Sequence, residues 1–143
     1  PLYIACQQGH LEVARLLLEA SVAVNQAKQS GATPLYIACE MGQVECVRLL
    51  LEAGAAVDQA KQNGVTPLYI ASQEGHVESA RLLLEAGAAI DQACNDGTTP
   101  LYMACQEGHL ECVRLLLETD ADINQARDNG ATPLFVACQE GHL

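Results

Sequence analysis

The sequence predicts an all-α repeat solenoid, a stack of antiparallel helix pairs from which β-hairpin or turn fingers project. Three observations lead to this prediction. A proline returns every 33 residues, each proline opens a short apolar segment that ends at a glycine, and a second segment with helical spacing follows. These prolines are Pro1, Pro34, Pro67, Pro100 and Pro133. A unit this short cannot bury its own apolar face, so neighbouring units must cover that face.

The repeat period makes the 143 residues one continuous domain of four full units and a partial fifth. We number these units 1 to 5, and they are residues 1–33, 34–66, 67–99, 100–132 and 133–143. The first and last units lack the polar outer face that ends a complete solenoid, so we expect an excerpt of a longer array. Because only 3% of the residues are aromatic, we also expect a core of small aliphatic side chains.

Unit 2 shows why each unit should contain two helices. Thr33 can cap a helix and Pro34 suits the first helical position, so a helix of about eight residues is predicted to begin there. Gly42 ends this helix, and a second helix is predicted over 44–53 because its aliphatic residues recur at helical spacing. Gly54 supplies the left-handed conformation that closes such a helix.

The remaining part of each unit returns the chain to the next helix pair. In unit 2, residues 55–65 lack helical periodicity and contain Asn63 and Gly64, a pair that favours a tight turn. We therefore expect an extended finger that projects from the helical stack. Ser21 and Asp120 replace the helix-closing glycine in units 1 and 4, so these two helix ends should each be less stable by up to ~1 kcal/mol.

The recurring residues resemble the ankyrin repeat over the whole chain. They include Thr-Pro-Leu, Gly-His at 75–76, Leu-Leu-Leu at 82–84 and Gly-Ala at 87–88. The resemblance implies paired antiparallel helices, fingers roughly perpendicular to them, and a concave surface of fingers and first helices that usually binds another protein. Tyr or Phe follows Thr-Pro-Leu where family members often have His, so the histidine hydrogen bond between repeats that the family implies lacks its donor there.

The resemblance also implies that partner contacts lie at the end of each first helix and on each finger. The helix-end candidates are Glu40, Met41, Gln73, Glu74, Gln106, Glu107 and Glu140. The finger candidates are Gln62, Asn63, Val65, Asn95, Asp96, Thr98, Asp128 and Asn129. We name Glu74, Glu107 and Glu140 the acidic ladder, which could pair with Lys or Arg of an extended or helical partner. The helix-end pair is nearly constant between units, which a solvated polar face explains equally well.

A further role implied by the resemblance concerns asparagine modification. Asn25 and Asn124 stand at the finger entry, where intracellular asparaginyl hydroxylases modify similar proteins.

The sequence predicts no metal, no cofactor and no catalytic site. Pairs such as Cys105 and His109 have the spacing of two ligands on a helix, but the intervening glycine ends one helix before the histidine opens the next. We interpret these histidines as caps of the helix turn. The few serines have no base and acid at recognisable spacing, and the glycines recur singly. We therefore predict that the protein is not an enzyme.

Charge and cysteine content narrow the range of partners and compartments. The net charge is −11, of which residues 1–66 carry −2 (six acids, four bases) and residues 67–143 carry −9 (twelve acids, three bases). Such a surface repels nucleic acid and anionic membranes and attracts a basic partner. The apolar runs are too short for a membrane span.

Seven cysteines, mostly at shared repeat positions, indicate buried thiols in a reducing, intracellular and cytoplasmic setting.

We predict a monomeric, non-catalytic scaffold that binds another protein, possessing a basic segment, on its concave face. Two alternatives remain. The array could be a passive spacer or stability element of a larger protein, which the near-identity of the units favours. It could also be an engineered repeat binder, although scattered differences such as Ser72 and Met103 are typical of drift in a natural array.

Overall fold

The computed structural model describes residues 1–142, and this part of the chain contains nine α-helices. The first helices of units 1 to 5 are α1 (Leu2–Gln8), α3 (Pro34–Glu40), α5 (Pro67–Glu74), α7 (Pro100–Glu107) and α9 (Pro133–Gln139). The second helices of units 1 to 4 are α2 (Leu11–Glu19), α4 (Val44–Glu52), α6 (Val77–Glu85) and α8 (Leu110–Glu118). The two helices of each unit from 1 to 4 pack against each other, first helices pack against first helices of the neighbouring units, and second helices pack against second helices. The all-α repeat solenoid is therefore confirmed.

The first helices of units 2 to 5 begin as the sequence predicts. The hydroxyl of Thr33 accepts a hydrogen bond from the Tyr36 N–H at 3.1 Å, and Pro34 occupies the first turn of α3. The corresponding threonines cap α5, α7 and α9 in the same way. Because proline has no N–H to leave unpaired, each of these helix starts is both capped and sterically fixed.

The fingers are tight turns, and no strand is present in the described residues. In unit 2 the Lys61 N–H donates to the Val65 carbonyl at 3.0 Å, and the Gly64 N–H donates to the Lys61 carbonyl at 2.9 Å. Neighbouring fingers are joined by one backbone bond, such as Gln62 N–H to Ser30 carbonyl at 3.0 Å. A single bond between fingers is too little for a β-ladder, so the predicted β-hairpins are not confirmed.

The centre of the core is a column of leucines that runs through units 2 to 4. Each unit from 2 to 4 contributes one fully buried leucine from its first helix and one from its second. They are Leu35, Leu50, Leu68, Leu83, Leu101 and Leu116. Small residues such as Ala38 and Ala71 lie between the helices and are also fully buried, which allows the helices to approach closely.

The structure places four of the seven cysteines, Cys6, Cys39, Cys46 and Cys112, in this core, and all seven are free thiols. Burial raises the pKa of Cys6 to about 12 and that of Cys112 to about 11, so both remain neutral thiols at physiological pH. The other three cysteines are at least partly exposed.

Two features of the backbone and helices bear on the sequence predictions. Ser21 and Asp120 have φ angles of 61° and 67°, so these residues adopt the left-handed conformation that glycine adopts in units 2 and 3.

Among residues 1–142, the helices are too short and too polar to span a bilayer.

Candidate protein-interaction surface

The centre of the candidate surface is a row of tyrosines, one from each of the first four units. Tyr36, Tyr69 and Tyr102 are buried and Tyr3 is partly buried, all on the first helices. Burial, followed by the charges of neighbours including Glu40, raises the pKa of the Tyr36 hydroxyl above its usual value. Tyr36 therefore stays un-ionised at physiological pH.

On one side of this row, finger cations lie over the tyrosine rings. The ammonium of Lys28 is 4.1 Å from the ring centroid of Tyr3, and that of Lys61 is 5.1 Å from the ring of Tyr36. The guanidinium carbon of Arg127 is 5.5 Å from the ring of Tyr102. Such contacts contribute about 0.5–1 kcal/mol each at exposed sites. They tie three of the fingers to first helices.

Unit 3 is the exception, because Cys94 stands where the other units carry the cation. The thiol of Cys94 donates to Oδ1 of Asp96 at 2.9 Å. Asp96 also accepts from Thr98 and from the guanidinium of Arg127 in the next finger. The hydrogen bonds from Cys94 and Thr98, with Arg127 contributing less, hold the pKa of the Asp96 carboxyl well below its usual range.

On the other side of the tyrosine row, the first helices end in exposed carboxylates. Glu74 and Glu107 are exposed, and each accepts a hydrogen bond from the preceding glutamine, at 3.1 Å from Gln73 and 3.2 Å from Gln106. Glu140 is exposed as well. The acidic ladder therefore presents its carboxylates to solvent, and its neighbouring glutamines orient two of them.

The fifteen residues predicted as partner contacts fall into three classes of exposure. Ten are exposed, namely Met41, Gln62, Asn63, Glu74, Asn95, Asp96, Glu107, Asp128, Asn129 and Glu140. Three are half-buried, namely Glu40, Gln73 and Gln106. Two are buried, namely Val65 at 8% and Thr98 at 2% exposure. Burial leaves Val65 and Thr98 little surface to offer a partner, and the partner contacts of all fifteen residues stay predictions.

Two of the exposed finger residues also hold the fingers together. The Gln62 side chain donates to the Gln29 carbonyl at 2.7 Å, and the Asn95 side chain donates to the Gln62 carbonyl at 3.2 Å. At the finger entry, Oδ1 of Asn25 accepts from the Ala56 N–H at 2.9 Å. Asn25 therefore already has a structural role between units 1 and 2.

The histidines at the helix turns connect units, which the sequence analysis missed. Nε2 of His76 donates to the Glu40 carbonyl at 3.1 Å, and His109 and His142 make the equivalent bond at 2.9 and 3.0 Å. His76 and His109 occupy the N-cap positions of α6 and α8, but neither side chain makes a cap bond to its own helix, so their side chains serve the contact between units instead. The signal was present in the sequence, because Gln43 replaces His in unit 2 and donates to the Gln7 carbonyl at 3.5 Å.

The glycine before each turn makes room for this contact. A Cβ on Gly42 would lie 2.7 Å from the imidazole of His76, and one on Gly75 would lie 2.6 Å from that of His109. The Cys-x-x-x-His pairs are thus parts of an interface between units. Residues 1–142 contain no cluster of three or more His, Cys, Asp or Glu side chains with the geometry of a metal site.

The fold and this surface define a helical repeat scaffold. A family model described as ankyrin repeats (3 copies) matches residues 1–61, 53–127 and 90–143, which together span the chain. The chain therefore belongs to the ankyrin repeat family, whose members are generally protein–protein interaction modules. A search of curated proteins finds no match to the chain.

Proposed function

We propose that the chain is a non-catalytic scaffold that binds another protein on the concave face formed by its first helices and fingers. The observation that carries this proposal is the tyrosine row, which fingers cover on one side and exposed carboxylates border on the other. The exposed finger tips differ between units, with Asn63, Asp96 and Asn129 at one repeat position. Chemical variation on a repeated backbone is how such a surface distinguishes partners.

The partner that best suits this face carries a basic segment. Glu74, Glu107 and Glu140 recur at one position of successive units, and none of them pairs with a cation in the described part of the chain. An exposed ion pair between a carboxylate and a cation contributes only about 0–1 kcal/mol to binding. The ladder would therefore act mainly by attracting the partner and by fixing its position along the stack. Met41, 48% exposed beside the ladder, offers an apolar contact.

We further propose that the chain acts as a monomer in a reducing, intracellular compartment. The compartment is supported by the seven free thiols, four of which are buried in the core with raised pKa values. A small secreted domain would instead depend on cysteines that are paired in disulfides.

A capture experiment from source-cell lysate tests the proposal. The wild-type chain would be compared with a ladder variant, Glu74→Lys, Glu107→Lys and Glu140→Lys, whose folding is verified by circular dichroism. The matched control is Glu52→Lys, Glu85→Lys and Glu118→Lys, three exposed acids at the ends of second helices. This control changes net charge equally on helices that do not line the concave face.

The expected result is a specific protein that the wild type and the control capture and the ladder variant loses. Equal loss in both variants would show that net charge alone drives capture. An identical set of captured proteins in all three, or none, would overturn the proposed interface and favour the spacer function.

A further inference from the structure

We propose that the concave face is electrostatically polar along the stack and selects a segment whose acidic and basic residues lie in separate blocks. The acidic block would lie over the fingers of units 1 and 2, and the basic block would lie over the acidic ladder of units 3 to 5. This inference rests on the proposed function and adds the orientation of the partner.

The cationic end follows from an account of every cation in the chain. Of the seven Lys and Arg residues, four arginines pair with a glutamate three residues earlier on the second helices, at 3.5–3.7 Å. Arg127 pairs with Asp96. Lys28 and Lys61 are the two that pair with no carboxylate in residues 1–142.

Both free lysines belong to the concave side. Each ammonium lies over a tyrosine of a first helix, which fixes its position without neutralising its charge. Lys28 lies on the finger of unit 1 and Lys61 on the finger of unit 2. A carboxylate that approaches these fingers meets a pre-positioned ammonium.

The cationic row stops at unit 3. Cys94 takes the place of the lysine there, and its thiol is directed to Asp96. In unit 4 the cation returns as Arg127, but the Asp96 carboxylate balances its charge. The finger tip of unit 4 adds a further acid, Asp128. Fingers 3 and 4 therefore offer an acidic ligand group no net attraction.

The acidic ladder begins where the cationic row stops. The position of Glu74 in unit 3 is occupied by Gln8 in unit 1 and Met41 in unit 2, both uncharged. Glu40, half-buried at the preceding position of unit 2, is the one acid that ends a first helix in units 1 and 2. The exposed carboxylates of the ladder are thus offset along the stack from the two free lysines. Residues 1–66 carry a net charge of −2 and residues 67–143 carry −9, so negative charge also increases from unit 1 towards unit 5. The long-range field and the local contacts therefore orient a partner in the same way.

The spacing of the units limits the length of the segment. Packed helices lie roughly 10 Å apart, so the four steps from unit 1 to unit 5 span about 40 Å. An extended chain rises about 3.3 Å per residue, so a segment of about 12 residues covers both blocks. A segment of this kind differs from a nucleic acid or an anionic membrane, which offers no basic block.

Two synthetic peptides of about 12 residues and identical composition provide the test. The block peptide has four Glu, then a Gly-Ser spacer, then four Lys. The alternating peptide contains the same residues, with Glu and Lys in alternation. At low salt, where the Debye length is about 30 Å, we expect the block peptide to bind at least tenfold more tightly. The preference should shrink at physiological salt, where that length is about 8 Å.

A nitroxide at the acidic end of the block peptide reports its orientation. We expect paramagnetic broadening of amide signals in the fingers of units 1 and 2, residues 28–32 and 61–65, and little broadening at 106–107 and 139–140. The variant Lys28→Gln, Lys61→Gln should abolish the preference for the block peptide. Its matched control is Arg15→Gln, Arg48→Gln, which removes two cations from the same units but from the second helices.

Equal affinity for the two peptides, or broadening concentrated at the acidic ladder, would overturn the inference. So would an equal effect of the lysine and arginine variants. These outcomes are separate from the proposed function, because capture from lysate that depends on the ladder can succeed while the peptides show no preference. In that case the concave face binds a partner without the polarity argued here.

Discussion

Arg127 donates through its guanidinium to the carboxylate of Asp96, 31 residues earlier, and so joins the fingers of units 4 and 3. The same carboxylate accepts from the Cys94 thiol and from Thr98 within its own finger. One exposed side chain therefore fixes the conformation of one finger and the position of the next.

Replacing this carboxylate should reveal a pH-dependent contribution to stability. Because contacts in the folded chain lower the pKa of Asp96, its charged form stabilises the fold above the unfolded-state pKa of about 3.9. This contribution is lost as pH falls through that value towards the lowered folded-state pKa. We expect Asp96→Asn to lower the free energy of unfolding at neutral pH by about 0.2–1 kcal/mol, the range for a solvent-screened pair.

Urea unfolding of the wild type and Asp96→Asn at several pH values would check this. The difference between them should be largest near neutral pH and should narrow below about pH 4. Asp128→Asn, an exposed aspartate on the next finger, is the control and should show a small difference throughout. A constant difference for Asp96→Asn across the whole range would contradict the assignment.

Ser79→Cys should stabilise the protein. Oγ of Ser79 is the buried side-chain polar atom that lacks a hydrogen-bond partner in residues 1–142, and Cys occupies its position in units 2 and 4. Removing an unsatisfied buried hydroxyl should raise the free energy of unfolding by about 1–3 kcal/mol. The control is Ser72→Cys, because Oγ of Ser72 donates to the Leu68 carbonyl at 2.8 Å. An equal gain from both substitutions would refute this explanation.

Ser21→Gly should also stabilise the protein, by up to ~1 kcal/mol, because glycine adopts a positive φ without the steric cost of a Cβ. The reciprocal change, Gly54→Ser, should destabilise unit 2 by a similar amount. A Cβ at Gly54 would meet no atom within 4 Å, so any loss there comes from the backbone conformation. Thermal unfolding of both variants tests the pair, and an unchanged midpoint for Gly54→Ser would be inconsistent with this account.

His109→Ala should weaken the interface between units 3 and 4. It removes the 2.9 Å bond to the Gln73 carbonyl, which should cost about 0.5–1.5 kcal/mol in unfolding free energy. His109→Gln is the conservative control, because Gln43 makes the corresponding contact in unit 2. Urea unfolding should rank the wild type first, Gln second and Ala last. If Gln proved as unstable as Ala, the hydrogen bond would not be the source of the stability.

The helices and their boundaries were predictable because their causes are local. The second helix of unit 2 was predicted over 44–53 and spans Val44–Glu52. The capping by Thr33 also follows from residues that are adjacent in sequence. The burial of Val65 was not predictable, because a position can vary between units whether its side chain faces a partner or packs inside the protein.

The contacts between units were not predictable from one unit alone. The bonds from His76 and His109 reach carbonyls in the preceding unit, 36 residues earlier. Their role depends on how far one helix pair is displaced from the next, which no local pattern specifies. The comparison of Gln43 with the histidines was the available signal, and it identified a shared position without identifying the acceptor.

The sequence by itself determined the repeat period, the helix pairs and the family, since caps, glycines and apolar spacing act within a few residues of one another. The tertiary structure decided which charges remain available for a partner. Lys28 and Arg127 occupy the same repeat position, yet Arg127 is balanced by Asp96 from another finger and Lys28 has no such partner in the described residues. That difference arises because the stack brings residues about one unit apart in the chain into contact, and electrostatic pairing depends on distance in space.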